Sequence, residues 1–167
     1  MGMFETLAEA FRYPDPNRLP NLEQRRLSLP AAPGIQPLDR FIASVKTLTL
    51  SQWEEQYTHT FDLNPAVAPY IGFQVWGENY ERGRFMSLMN RELHARQIDL
   101  DGELPDHLIC VLRYLEVVNP PLPEVMEVLV PALKRMHETL GKTQPENPYL
   151  DLLEAASLAV KDVQLEG

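Results

Sequence analysis

Apolar side chains return every three or four positions along most of this chain, and no segment alternates apolar with polar in the manner of a strand. Phe4, Leu7, Ala8 and Phe11 predict a short amphipathic helix that ends near Tyr13-Pro14. Next come Pro14, Pro16, Pro20, Pro30, Pro33 and Pro37. Proline lacks the amide proton a helix interior needs, so the 14–37 segment has room for at most one short helical turn, around Leu22 to Leu27. Otherwise it reads as an extended loop and the first place a protease should cut. Leu38, Phe41, Ile42 and Val45 restore the helical period as far as Lys46. Ser51, with Glu54 three residues on, reads as a capping box that opens the next helix. That helix carries Trp53, Tyr57 and Phe61 as an aromatic stripe, which belongs in the core.

Asn64-Pro65 and Pro69 make 62–69 a loop, and Gly72 and Gly77 weaken the helical stretch that begins near Tyr70. Helix strength recovers from Glu78 through Arg84, Phe85, Leu88, Met89 and Leu93, and 99–102 is a turn. A helix over 105–118 places Leu108, Val111, Leu112 and Leu115 on one face, and Asn119-Pro120-Pro121 stops it. The stripe from Val125 to Leu140 predicts a further helix, kinked at Pro131 and closed by Gly141. Asn147 as N-cap and Pro148 at the first helical position open the last one. The sum is six or seven helices without a sheet, an all-α globule forming a single domain over 1–167.

Composition narrows the function more than the fold. With 167 residues, 44% of them hydrophobic, the chain can bury one core but not two. Fifteen Lys and Arg against 24 Asp and Glu leave a net charge of −9, which repels nucleic acid and anionic lipid and favours a basic peptide. One cysteine, Cys110, excludes an intramolecular disulfide framework and fits a reducing, cytoplasmic setting. The N-terminal residues do not read as a leader, and no apolar run is long enough to span a membrane. The scattered glycines form no phosphate-binding fingerprint, and the histidines at 59, 94, 107 and 137 lack metal-ligand spacing. No catalytic residues, cofactor or metal are expected.

One stretch holds more chemistry than a helix start requires: Glu103-Leu104-Pro105-Asp106-His107-Leu108. Pro105 suits the first helical position and Asp106 complements the positive end of the helix dipole. His107 is harder to place, because as an imidazolium it would oppose that dipole. Beside Val111 and Tyr114 it would form the lip of a groove with an acid–histidine pair at one end, a place for a peptide to dock.

At these positions the chain resembles the NarJ family, dedicated assembly chaperones of respiratory nitrate reductase and related molybdenum enzymes, within the TorD/DmsD-like redox-enzyme maturation proteins. The similarity rests on Phe61-Asp62, Gly77-Glu78, Arg82-Gly83, the six residues 103–108 and Tyr114-Leu115, in that order. It covers about 53–115, with a weaker echo at Phe11-Arg12-Tyr13-Pro14-Asp15, and the proline-rich segment departs from the family pattern. The resemblance implies a non-catalytic, all-helical cytoplasmic chaperone. Its partner would be the N-terminal segment of a molybdoenzyme catalytic subunit, held competent for insertion of the molybdopterin cofactor before membrane attachment or export. Glu103, Pro105, Asp106, His107 and Tyr114 would line the peptide site. Trp76 and Tyr80 would add aromatic anchors if they share a helix at i, i+4. Two other readings stand beside it: a small metal-dependent hydrolase built on His59, His107 and nearby carboxylates, and a helical adaptor unrelated to metalloenzymes.

Overall fold

A computed structural model describes residues 2–166, with side chains from 2 to 164. It contains nine α-helices among the described residues: α1 Met3–Ala10, α2 Arg18–Leu27, α3 Ile35–Lys46, α4 Leu50–Tyr57, α5 Ile71–Trp76, α6 Tyr80–Ala95, α7 Leu108–Val117, α8 Pro123–Thr143 and α9 Tyr149–Glu166. A single antiparallel bridge, Tyr70 to His107, is the one isolated β-type pairing among these residues. The all-helical, sheet-free class expected from the periodicity is therefore the class observed. No described helix is long and apolar enough to cross a membrane.

The apolar faces meet in one core. The short helix α1 packs against α7, α9 and α2, while α9 also carries α3 and α8, and α8 in turn carries α5. At the centre lies an aromatic cluster. Tyr149, fully buried on α9, stands 4.9 Å from Phe61, 5.1 Å from Phe41 and 6.0 Å from Tyr57, measured between ring centroids. Its hydroxyl accepts a hydrogen bond from Trp53 Nε1 at 3.0 Å, so the phenol oxygen at the heart of the cluster is satisfied. The stripe Trp53, Tyr57, Phe61 is core, as its spacing suggested.

Four boundaries differ from the sequence reading, each for a local reason. The proline-rich segment is not an extended loop: α2 occupies ten of its residues and α3 begins at Ile35. Pro20 sits in the first turn of α2, where its missing amide proton costs nothing. Arg18 then fastens the segment down, pairing with Glu9 and with Asp15 at 3.0 Å and donating to the Tyr13 carbonyl at 3.1 Å. Helix α4 is capped by Thr49 and Gln52, not Ser51 and Glu54. The Thr49 hydroxyl accepts from Gln52 N at 3.1 Å and the Gln52 side chain accepts from Thr49 N at 2.9 Å. Gly141 does not end α8, which continues to Thr143. Helix α7 starts at Leu108, three residues after Pro105. Asn147 does take the capping role expected of it, its Oδ1 accepting from Tyr149 N at 2.9 Å. The count exceeds six or seven because α2 is a full helix and a positive-φ Gly77 separates α5 from α6.

Packing of α2 is directly testable. Leu22 is fully buried whereas Leu27, on the same helix, is 85% exposed. Leu22→Ala should lower the free energy of unfolding by about 2–5 kcal/mol, and Leu27→Ala by no more than about 0.5 kcal/mol. Equal, small effects in urea titrations would show that the segment is the loose loop its prolines suggest.

Candidate functional site

The stretch 69–83, which holds the Gly77-Glu78 and Arg82-Gly83 pairs of the resemblance, lies against the stretch 103–108. Their backbones are stitched by Ile71 N donating to the Asp106 carbonyl at 2.9 Å and Leu108 N donating to the Pro69 carbonyl at 2.8 Å. Between their side chains runs a buried ion pair. Arg82 Nε and Nη2 reach Asp106 Oδ2 and Oδ1 at 2.9 and 3.3 Å, while Arg82 Nη1 reaches Glu78 at 2.7 Å. Asp106 is fully buried. Burial works against the Arg82 charge, but the bonds to Asp106 and the neighbouring Glu78 outweigh it and raise the guanidinium above its ordinary value. Gly72 makes the approach possible: a Cβ there would stand 2.8 Å from Asp106 Oδ2 and 3.1 Å from Arg82 Cγ.

Pro105 and Asp106 form a turn closed by His107 N donating to the Leu104 carbonyl at 3.0 Å. This turn leaves His107 as the N-cap of α7, and its Nδ1 accepts from Ile109 N at 3.1 Å. A ring nitrogen that accepts carries no proton, so the hydrogen resides on Nε2 and the imidazole is neutral. Burial lowers the His107 pKa, against the upward pull of Glu103 and Asp106 and with a small further push from Arg12. The expected conflict between a cationic His107 and the helix dipole therefore does not arise. Asp106, for its part, does not cap the helix but turns inward to Arg82.

Beside this junction opens a cavity of about 470 Å³. Tyr57, Phe61, Tyr70 and Phe73 give it aromatic walls; Asp62, Glu78 and Glu103 give it acid; His107, Leu104 and Arg82 complete the lining with the Pro65–Pro69 loop. Asp62 is presented by a π-helical turn, Thr58–Asp62, that extends α4. Turns of this kind are frequent at functional sites, where the extra residue re-aims the side chains beyond it. Partial burial and the charge of Glu103 both push the Asp62 carboxyl up. Glu103 accepts from the Tyr70 hydroxyl at 2.6 Å, and the Tyr70 ring stands edge-on to His107, 5.0 Å between centroids. Burial, with Glu103, also raises the Tyr70 phenol, which remains a donor.

Of the seven residues singled out from sequence, Glu103 and His107 line the cavity. Pro105 and Asp106 do not line it; Asp106 holds the lining residue Arg82, and Pro105 belongs to the turn between Leu104 and His107. The other three lie elsewhere. Tyr114 is fully buried, its hydroxyl accepting from Leu122 N at 3.0 Å, so it holds the α7–α8 connection. Trp76 ends α5 and packs on Phe85, whereas Tyr80 begins α6 and is 78% exposed. Gly77, at φ +68°, breaks the helix that would have made them i, i+4 neighbours. His59 is paired with Glu55 at 3.8 Å outside the cavity. No group of three or more His, Cys, Asp or Glu among the described residues could hold a metal ion, which leaves the hydrolase reading without a centre. Cys110 is buried, its thiol pushed up to about 11 chiefly by that burial, which keeps it in the thiol form at neutral pH. Sequence reasoning missed Asp62, Tyr70, Phe73 and Arg82 as site residues. The Phe61-Asp62 and Arg82-Gly83 pairs within the resemblance were the available signal.

The family model described as nitrate reductase delta subunit matches residues 24–120, more than half of the chain and every cavity residue named above. No curated protein matches the chain.

The geometry makes two outcomes measurable. Asp106→Ala leaves the buried Arg82 without its counter-charge and should cost about 3–5 kcal/mol in a urea titration; a loss of a few tenths would mean Asp106 serves only a helix end. The depressed pKa of His107 means that the unfolded chain takes up its proton first. Stability contributed by the neutral imidazole is thus complete above the unfolded value of 6.5 and declines as pH falls from there toward the lower folded value. His107→Asn, which keeps an N-cap acceptor but cannot titrate, should flatten the stability profile in that interval.

Proposed function

The chain belongs to the nitrate reductase delta subunit family, the NarJ-type chaperones, and we propose that it grips the N-terminal segment of its client in the acid-lined aromatic cavity. Its role is that of a molybdoenzyme maturation chaperone without catalysis of its own, and its partner is the catalytic subunit of a molybdoenzyme. One observation carries the proposal about the site: three of the segments that carry the resemblance, Gly77-Glu78, Arg82-Gly83 and 103–108, meet at one junction, and the cavity lies beside it.

The cavity has the features of a peptide site. Its floor and walls are rigid, because Tyr57 and Phe61 belong to the core cluster and Tyr70 is fixed by Glu103. Its opening is accessible: Leu104 lines it and is 48% exposed, beside the carboxylates of Asp62, Glu78 and Glu103. Aromatic walls already held in the core bury peptide side chains at little ordering cost. In our reading the chaperone acts in the cytoplasm on nitrate reductase or a relative. It holds the catalytic subunit open to molybdopterin insertion and delays membrane attachment or export until loading is complete.

The test is retention of the catalytic subunit on the tagged chaperone, with and without the subunit's N-terminal segment. The intact subunit should be retained and the truncated one lost. Cells lacking the chaperone should yield subunit with less molybdenum. Undiminished retention of the truncated subunit would overturn the assignment of the N-terminal segment.

A further inference from the structure

We propose that the segment Phe11-Arg12-Tyr13 is a strap that sets the separation of the two walls of the cavity, with Arg12 and Tyr13 as positioning residues for its occupant; the second half rests on the reading that a client segment enters there. The strap lies outside the family match of 24–120, and none of its residues lines the cavity. Its contacts with both walls carry the inference.

One wall is aromatic. Tyr57 and Phe61 line the cavity from α4 and the π-helical turn beyond it. Phe11, 2% exposed, meets Phe61 edge-on at 6.1 Å between centroids, and Tyr13 meets Tyr57 edge-on at 5.3 Å. The Tyr13 hydroxyl also donates to Glu54 of α4 at 3.2 Å. Edge contacts favour one relative orientation of the rings, so the strap bears on the angle of this wall as well as on its place.

The other wall is the turn that delivers Glu103, Leu104 and His107. Between the two aromatic residues of the strap, Arg12 reaches this side: its Nη1 lies 3.0 Å from Asp101 Oδ2, two residues before Glu103. Arg113 Nη1 reaches the same oxygen at 3.4 Å. Asp101 and Gly102 are both left-handed, at φ +54° and +81°. An L residue holds that conformation at a cost, and two guanidinium groups on its carboxylate offset it. Without Arg12 the turn keeps one of these two anchors. The Arg12 charge is felt as far as His107, where it acts to lower the imidazole pKa.

The strap is itself made fast. Arg18 donates to the Tyr13 carbonyl at 3.1 Å and pairs with Asp15 at 3.0 Å and with Glu9, which also holds Arg12 Nε at 3.2 Å. A loose loop would follow whichever wall moved, whereas a strap tied at its base imposes a spacing on both. A spacing set in advance lowers the ordering cost of binding.

The experiment combines amide hydrogen exchange on the full chain with calorimetric titration of a synthetic peptide, the N-terminal segment of the client catalytic subunit. Arg12→Gln should speed exchange across 99–107 about tenfold, and Tyr13→Ala across 58–63, with α8 and α9 at wild-type rates in both. Arg12→Lys, which keeps the charge, should recover most of the protection in 99–107. Loss confined to one wall per variant is a result that general destabilisation does not give. Asp101→Asn removes the same ion pair from its other end and decides the matter should Arg12→Gln fail to fold. Arg12→Gln and Tyr13→Ala should each weaken the peptide about tenfold. Leu104→Trp, at the accessible opening, obstructs the cavity and leaves the strap untouched. Wild-type exchange in both segments overturns the strap, whatever the peptide does. Faster exchange with unchanged peptide affinity overturns Arg12 and Tyr13 as positioning residues; the cavity then stands as the peptide site if Leu104→Trp loses binding, and falls with them if it does not. A peptide that does not bind the wild-type chain overturns the site reading, and exchange alone then decides the strap.

Discussion

Arg82 and Asp106 are 24 residues apart in sequence and meet in a buried bidentate pair. Taking both charges out of water costs several kcal/mol per ion, so the pair is not there for stability alone. What it supplies is a unique geometry. An apolar contact between α6 and the 103–108 turn would tolerate sliding, whereas two parallel N–H to carboxylate bonds fix distance and angle together. Gly72 enforces the same register from α5, since any Cβ would enter the pair. Everything that lines the cavity from these two stretches inherits its position from this contact: Tyr70 and Phe73 on one side, Glu103 and His107 on the other.

The same pair settles the electrostatics of the site. With Arg82 committed to Asp106 and Glu78, the carboxylates of Asp62 and Glu103 face each other at the mouth, and partial burial together with the charge of Glu103 raises the Asp62 carboxyl. His107 contributes no positive charge at neutral pH, because burial disfavours its protonation and its Nδ1 is engaged as the N-cap acceptor. A protein of net charge −9 thus concentrates some of its negative charge on a concave, aromatic surface, where a low local dielectric strengthens each contact.

Helices were legible wherever apolar spacing spoke without interference: the core stripes of α3, α4, α6, α8 and α9 lie where their period put them. The proline-rich segment was misread because proline forbids a helix interior but not a helix start, and nothing local announces that Arg18 will find Glu9 and Asp15. Thr49 and Ser51 are both acceptable caps with a suitable residue three positions on, so sequence alone could not choose between them. The site was half legible. The stretch 103–108 announced itself by an unusual density of acid, proline and histidine, yet the roles within it depended on a partner 24 residues away. Period and propensity describe what a residue does for its own helix, and Asp106 does its work for another.

That distinction separates the most conspicuous acid of the motif from the one that faces the cavity. A carboxylate that defines a fold junction must be buried and fully paired, as Asp106 is; a carboxylate that faces a cavity keeps an open lone pair. Glu103 meets the second condition, since Tyr70 occupies one oxygen and the side chain remains 39% exposed at the mouth of the cavity. The motif therefore divides its labour within a few residues: Asp106 builds the wall, His107 ends the wall at a helix N-terminus, and Glu103 faces outward from it. A single turn that both locks two helices together and presents an acid couples the shape of the cavity to its charge. A change at Asp106 or Arg82 therefore reaches both, because it loosens the junction and leaves a buried charge beside the cavity.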